Sequence, residues 1–314
     1  MKRVGFLVFE GVTMLDVTGP AEVLSRAGIY ELILFSPTGA PVTASTGLPV
    51  TGTHPPLIDA ALDTVIIPGS DSLADHPFDA AHLAAARILT TGPRRVASVC
   101  TGAFLLAELG LLDGRRATTH WRNAADLARR YPRVRVEPDT LHVHDGRYLT
   151  SAGISAGIDL ALSLVEEDLD AAAARRIAQE MVMFMHRPGG QSQFASGVNT
   201  PSVQHPILRE VMRLVEDSPA EPHSIATLAA RAAVSERHLT RLFRAELGVT
   251  PARWLEQARL STAQQLLLDG HTVTAAASRS GFGSDESLRR AFDRRLHTTP
   301  SEYRARFRST FRAR

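Results

Sequence analysis

Val96-Ala97-Ser98-Val99-Cys100-Thr101-Gly102-Ala103-Phe104 is an apolar run that turns abruptly into a helix-forming stretch. Residues 96–99 read as a buried strand and 102–109 as the helix after it, with Gly102 permitting a tight turn. A strand that feeds straight into a helix is the unit of a parallel sheet covered on both faces. The surrounding sequence repeats the unit. Residues 4–9, 31–35, 64–67 and 148–151 are further short apolar runs, and helical stretches at 20–27, 80–90, 121–130 and 156–167 lie between them. The first half is therefore expected to be an α/β domain with a doubly wound, mostly parallel sheet. One more helix is expected over 170–185, ended by the breaker Arg187-Pro188-Gly189-Gly190.

The turn at Cys100 is a candidate site. A nucleophile on a sharp strand-to-helix turn is exposed, and the helix N-terminus lowers a thiol pKa. The alternative is a small cysteine buried in the core. Asp16 is expected in the loop after the first strand, and Pro68-Gly69-Ser70 follows the strand at 64–67. Such loops leave the carboxyl ends of strands, where ligands gather in open α/β sheets. Backbone N–H groups of Gly69, Ser70 and Thr101 are expected to form an anion pocket, with His120, Trp121 and residues 152–157 as its walls. His142 and His144 share one face if they lie on a strand, but no further ligands accompany them, so neither a metal site nor a cofactor is expected.

The second half has another character. Residues 191–206 are polar and rich in Gly, Ser and Pro, and read as a linker. An amphipathic segment follows at 207–215, and everything from Ser224 onward reads as helical. That region repeats itself with a shift of 49 residues. Leu239, Phe243, Leu247, Pro251 and Trp254 match Leu288, Phe292, Leu296, Pro300 and Tyr303. Each copy has a short helix upstream, at 225–232 and 273–280, then a turn and a capping serine, Ser235 or Ser284. Short helix, tight turn and capped second helix make a helix-turn-helix. A plain helical bundle would show similar apolar spacing. The second helices, however, carry Arg237, Arg241 and Arg244, then Arg289, Arg290, Arg294 and Arg295, on positions outside the core. From His223 onward there are 16 arginines against eight acidic residues, a net +8, whereas the rest of the chain carries −6. A basic tail behind an acidic body points to double-stranded DNA as partner.

The tail resembles the AraC family of bacterial transcription regulators over about residues 224–307. The most specific strings are Gly281-Phe282-Gly283-Ser284-Asp285-Glu286-Ser287-Leu288-Arg289-Arg290-Ala291-Phe292 and Thr299-Pro300-Ser301-Glu302-Tyr303-Arg304. The resemblance implies two helix-turn-helix units joined by a long helix, here 251–268. It also implies base-facing roles for Arg237, Thr240 and Arg241 in the first unit, and for Asp285, Glu286, Ser287 and Arg290 in the second. Arg244 and Arg294 are expected to face phosphates, and Arg289 to lie on the DNA-binding surface. For Asp285 and Glu286 the alternative is favourable charge at a helix N-terminus. His297 departs from the family pattern by standing where Gly is usual.

The body, roughly residues 1–190, is similar to the ThiJ/PfpI superfamily, with its class I glutamine amidotransferase-like fold, in the GlxA-type subgroup fused to AraC domains. The carrying strings are Asp16-Val17-Thr18-Gly19-Pro20, Cys100-Thr101-Gly102-Ala103-Phe104, Ala117-Thr118-Thr119-His120-Trp121 and Arg187-Pro188-Gly189-Gly190-Gln191. Thr101 stands where the peptidase branch has His, which argues against peptidase or glutamine-hydrolysing activity. The Asp16, Cys100 and Thr101 pattern looks like that of isocyanide hydratases. The expectation is three segments: a sensor and dimerisation domain at 1–190, a linker at 191–206 and a DNA-binding domain at 207–314. The function expected is a regulator, dimeric and responsive to a small nitrogen-containing metabolite; the alternatives are an isocyanide-hydratase-like lyase and a redox sensor through Cys100. The 314 residues suit two domains. No apolar run approaches the roughly 18 residues of a membrane span, and a lone cysteine in a chain with a six-residue N-terminal apolar run points to the cytoplasm.

Overall fold

The computed structural model describes residues 1–57, 60–74, 78–183, 190–191 and 205–307. The chain divides into two compact units, Met1–Arg187 and Pro188–Arg314. The expected breaker at 187–189, the last two residues of the helix expected over 170–185, and most of the expected linker lie outside the described residues.

The first unit runs β1 (Lys2–Leu7), α1 (Met14–Arg26), β2 (Tyr30–Phe35), β3 (Val42–Thr43), β4 (Pro49–Val50), β5 (Thr53–His54), β6 (Thr64–Ile67), α2 (Ala80–Thr90), β7 (Arg95–Val99), α3 (Gly102–Glu108) and β8 (Arg116–Ala117). A 3-10 turn (Trp121–Asn123), α4 (Ala124–Arg130), β9 (Arg135–Val136), β10 (His142–Asp145), β11 (Tyr148–Ser151), α5 (Ala156–Asp168) and α6 (Ala171–Glu180) complete it. Seven strands form one sheet in the order β10-β11-β7-β6-β1-β2-β5. Every neighbouring pair is parallel except β10 and β11. All four residues of β6 and all five of β7 are buried, as a sheet covered on both faces requires. From β1 the chain goes through α1 to β2 on one side, and later to β6 on the other. The point where the winding reverses lies between the carboxyl ends of β1 and β6.

One boundary differs in a way that matters for the site. α1 begins at Met14, not at residue 20, so Asp16 sits in its first turn and Pro20 is inside the helix. Pro20 leaves the Asp16 carbonyl without an i+4 donor. The helix persists because this face packs tightly on α5. A Cβ on Gly19 would lie 3.0 Å from Ile158, and one on Gly157 would lie 3.1 Å from Pro20. The opposite end of the sheet is closed by charge. Asp168, the last residue of α5, accepts from the Tyr30 hydroxyl at 2.7 Å and from Arg94 at 2.7 Å, and pairs with Lys2 and Arg95. Arg95 also reaches Glu167 and Asp63.

The second unit contains α7 (Pro206–Asp217), α8 (Ile225–Arg231), α9 (Glu236–Leu247), α10 (Pro251–Leu268), α11 (Val273–Arg279), α12 (Asp285–Leu296) and α13 (Pro300–Phe307). The repeat is real in three dimensions. Ser235 caps α9 by accepting from the His238 N–H, and Ser284 caps α12 by accepting from the Ser287 N–H. Phe243 packs on Trp254 with ring centres 5.4 Å apart, and Phe292 packs on Tyr303 at 5.6 Å. Each copy has its own core, and α10 serves both. Leu255 belongs to the first core; Leu260, Ala263 and Leu267 belong to the second. No helix of the described residues is long and apolar enough to cross a membrane.

Candidate functional site

Cys100 lies between β7 and α3 with φ +57°, a left-handed backbone that costs a side-chain-bearing residue about 1–2 kcal/mol. Its N–H donates to Ser151 O at 3.1 Å, and the Thr119 hydroxyl donates to Cys100 O at 2.8 Å. Two glycines make the turn possible. A Cβ on Gly102 would meet the Ile67 carbonyl at 2.1 Å, and one on Gly153 would lie 2.7 Å from the Cys100 sulfur. This packing corrects the expectation of an exposed nucleophile, because Cys100 is only 7% exposed. It also corrects the expected acidity. Burial pushes the thiol well above the ordinary range and the neighbouring Asp16 adds to it, outweighing the Thr101 N–H and hydroxyl that favour the thiolate.

Asp16 is fully buried at the switch point. Its carboxyl accepts from the Gly69 N–H at 3.0 Å and from the Ile154 N–H at 2.7 Å. Burial raises its pKa to about 6, against the pull of those two donors; Asp71 pushes in the same direction as burial. Two of the three backbone donors expected to form an anion pocket are already used, and the third, the Thr101 N–H, favours the Cys100 thiolate. The Gly69 N–H serves Asp16, and the Ser70 N–H donates to the Thr101 hydroxyl at 2.9 Å, which itself donates to Ser70 O at 2.7 Å. The site is acidic instead.

Asp71, which the sequence reading missed, is exposed beside this group and raises both Asp16 and Cys100. It also acts on His120, whose pKa is nevertheless lowered, first by burial and then by Arg122. The His120 ring lies 5.3 Å from the Trp121 ring, and its Nδ1 accepts from the Arg122 N–H at 3.4 Å. The Asp71 loop is anchored from below: Arg130 donates to Ala74 O at 2.6 Å and lies over Phe104. Asp16, Gly69, Ser70, Cys100 and Thr101 are thus brought into contact, and His120 lies one residue beyond Thr119. A separate cavity of about 300 Å³, lined by Leu57, Leu62, Ile88 and Pro93 among others, sits at the opposite ends of β6 and β7, away from Cys100. Among the described residues no group of three His, Cys, Asp or Glu could hold a metal ion.

In the second unit, Arg237, Thr240, Arg241 and Arg244 follow the i, i+3, i+4, i+7 spacing of one helix face. All but the half-buried Thr240 are exposed. Arg241 donates to His238 Nδ1 at 3.0 Å. On α12 the equivalent positions are Glu286, Arg289, Arg290 and Asp293, and all four are exposed. Two expected contacts are otherwise engaged. Asp285 accepts from the Thr274 hydroxyl at 2.9 Å, tying α12 to α11, and Ser287 is held in the Ser284 cap. Arg294, expected to face phosphate, instead pairs with Glu256 on α10. That partner was invisible in sequence, where Glu256 reads as one more surface acid.

Residues 2–167 match the DJ-1/PfpI family and residues 228–306 match the Helix-turn-helix domain family. Along nearly the whole chain the sequence is 31% identical to the HTH-type transcriptional regulator CdhR of Pseudomonas aeruginosa, over 308 residues covering 96% of this chain and 90% of that protein. The chain belongs to the DJ-1/PfpI family, as an AraC-type transcriptional regulator. Within this family the body is also 38% identical to the isonitrile hydratase of Pseudomonas putida, over 165 residues covering 52% of this chain and 71% of that enzyme. A crystal structure of an AraC family transcriptional regulator from Pseudomonas putida shares the fold of the DJ-1/PfpI body, with a TM-score of 0.51 and 23% identity over 58% of this chain and all of that one. Curated full-length relatives of this kind are regulators, so the DJ-1/PfpI body here is joined to a DNA-binding function rather than standing alone as an enzyme.

Proposed function

We propose that the first unit is the sensor of this regulator and that its effector is a small nitrogen-containing metabolite, bound over Cys100 and Asp16. The observation that carries the reading is Asp16, a fully buried carboxyl with a pKa of about 6 and the acidic Asp71 nearby. An acidic end favours a cationic or hydrogen-bond-donating nitrogen over an anion. The protein acts in the cytoplasm as a homodimer, with residues 1–190 supplying sensing and dimerisation, 191–206 the linker and 207–314 the DNA contacts. Arg237, Thr240, Arg241 and Arg244 of α9, with Glu286, Arg289 and Arg290 of α12, face DNA. Identification by mass spectrometry of small molecules that copurify with the full chain, followed by a gel shift with and without them, tests the sensor. A full effector response in both Cys100→Ser and Asp16→Asn would place the ligand elsewhere.

The base readers have their own test. Arg241→Ala should relax specificity in one half of the operator and Arg290→Ala in the other, each by about 1–3 kcal/mol of discrimination. An even loss across all single-base operator variants would mean that another helix face enters the groove.

A second reading is a lyase that hydrates an isonitrile to a formamide. Asp16 takes the Cys100 proton as sulfur adds to the isonitrile carbon and returns it to that carbon. Water then adds to the resulting thioimidate carbon and expels the thiol, leaving the formamide and the free cysteine. The similarity to isonitrile hydratase and the Asp16–Cys100 contact favour it. A turnover assay run beside the gel shift separates the two readings.

A further inference from the structure

The 49-residue repeat allows the two recognition helices to be compared position by position. Arg241 corresponds to Arg290, and Thr240 to Arg289. The correspondence fails at the carboxyl end. Arg294 and Arg295 fall opposite Ala245 and Glu246, so this arginine pair exists in the second copy alone. Glu256, five residues after Pro251, falls opposite Ala305, so this acid exists in the first copy alone. The two unmatched features meet. Arg295 donates through Nε to Glu256 Oε2 at 2.8 Å, and Arg294 pairs with Glu256 Oε1. The Glu256 side chain is 21% exposed. Burial would raise its pKa, but the two guanidiniums outweigh burial and hold it below the ordinary range. By contrast, Arg237, Arg241, Arg244, Arg289 and Arg290 pair with no carboxylate among the described residues.

Phosphate contacts supply the affinity of a protein for DNA of any sequence, and each releases counterions. Specificity is the ratio of operator binding to that background. We propose that Glu256 is a specificity-determining positioning residue: it occupies Arg294 and Arg295, keeps them off phosphates, and so lowers sequence-independent affinity while leaving the base-facing side chains untouched. The inference rests on DNA binding by this unit. It replaces the phosphate role that Arg294 has on sequence grounds alone.

The test is the salt dependence of binding of the full chain to a mixed-sequence duplex and to the DNA upstream of its own gene. E256Q, which keeps the shape and removes the charge, should bind the mixed-sequence duplex about tenfold more tightly at low salt, with a slope of log affinity against log salt steeper by about one to two, as expected for two added phosphate contacts. R294Q/R295Q in the Glu256-bearing chain should leave the slope unchanged, and R294Q/R295Q should return E256Q to the original slope. An unchanged slope in E256Q, or an equal loss of affinity on both duplexes, would overturn the proposal by making the pair purely structural. A flatter slope in R294Q/R295Q alone would overturn it by showing that the arginines reach phosphate despite Glu256. Failure of the unaltered chain to bind either duplex would instead remove the DNA-binding reading beneath it.

Discussion

Two buried aspartates stand at opposite ends of the same sheet, and their surroundings could hardly differ more. Asp168, at the amino ends of β1, β2 and β7, is met by Lys2, Tyr30, Arg94 and Arg95. Those partners hold its carboxyl far below the ordinary range, overcoming burial. Asp16, at the carboxyl ends of β1 and β6, is met by two backbone N–H groups and a thiol, and it keeps a proton up to about pH 6. A buried acid surrounded by cations fixes strands in place. A buried acid held only by dipoles retains its proton affinity and costs stability once ionised. Evolution tolerates that cost at functional sites more readily than in scaffolds.

The largest expected effect breaks the first half of this contrast. Asp168→Ala leaves the Arg95 guanidinium, 3% exposed, with weaker partners, and removal of one member of a buried ion pair costs about 3–5 kcal/mol. Chemical denaturation at neutral pH measures it; a smaller loss than that of Asp16→Ala would undo the contrast.

The next effect has a sign. Folded Asp16 releases its proton near pH 6, and the unfolded chain releases it near 3.8. The protonated carboxyl therefore favours the fold fully below the lower value, and that contribution is lost as pH rises through 6. Asp16→Asn should gain on the unaltered chain by about 2.5 kcal/mol between pH 4 and pH 7, somewhat less than the full shift because the unfolded carboxyl is already more than half ionised at pH 4. Asp168 works the other way: its contribution is present above the ordinary carboxylate range and disappears in acid. Paired denaturation curves taken from pH 7 down to about pH 2 show whether the two acids oppose each other.

A third effect concerns the thiol. Cys100 should react with iodoacetamide at pH 8 at least about tenfold more slowly in the native chain than in the unfolded one, because each unit of upward shift removes tenfold of thiolate. Equal rates would mean an open, ordinary thiol and would overturn the buried reading, and a faster native rate would mean an activated cysteine and would revive the redox-sensor reading. The smallest effect belongs to Arg94, which is 45% exposed. Arg94→Gln should cost less than about 1 kcal/mol, since exposed pairs contribute little. A larger loss would mean that the network draws its strength from the surface.

Local patterns carried much of the architecture. Thr64–Ile67, Tyr148–Ser151, Ala80–Thr90 and Pro251–Leu268 stand where apolar runs and breakers set them. The start of α1 was hidden because Pro20 looks like a first residue, and only packing against Gly157 and Ile158 shows otherwise. Strands such as β3, β4 and β5 have two residues each, too few for any periodicity. The catalytic-looking residues were visible as a set, but their state was not. Asp16 takes its raised pKa from burial and is held by Ile154, 138 residues away, and Cys100 is closed over by Gly153. The Thr101 hydroxyl consumes the Ser70 N–H, a pairing that no spacing rule encodes. Likewise, Glu256 reveals its arginine partners only once α12 folds back on α10.

The shared helix α10 has one more consequence. Its first half closes one core and its second half closes the other, so the angle between the two readers is written as a number of residues. Each residue added to an α-helix turns the chain beyond it by about 100° and moves it by about 1.5 Å. A single insertion would aim the second recognition helix at the wrong side of the duplex. An insertion of about seven residues would restore its aim to within about 20°, but displace it by roughly three base pairs' rise. The two readers can therefore drift apart only in jumps. Substitutions can retune which bases each reader prefers, while the distance between their targets is inherited as a whole number.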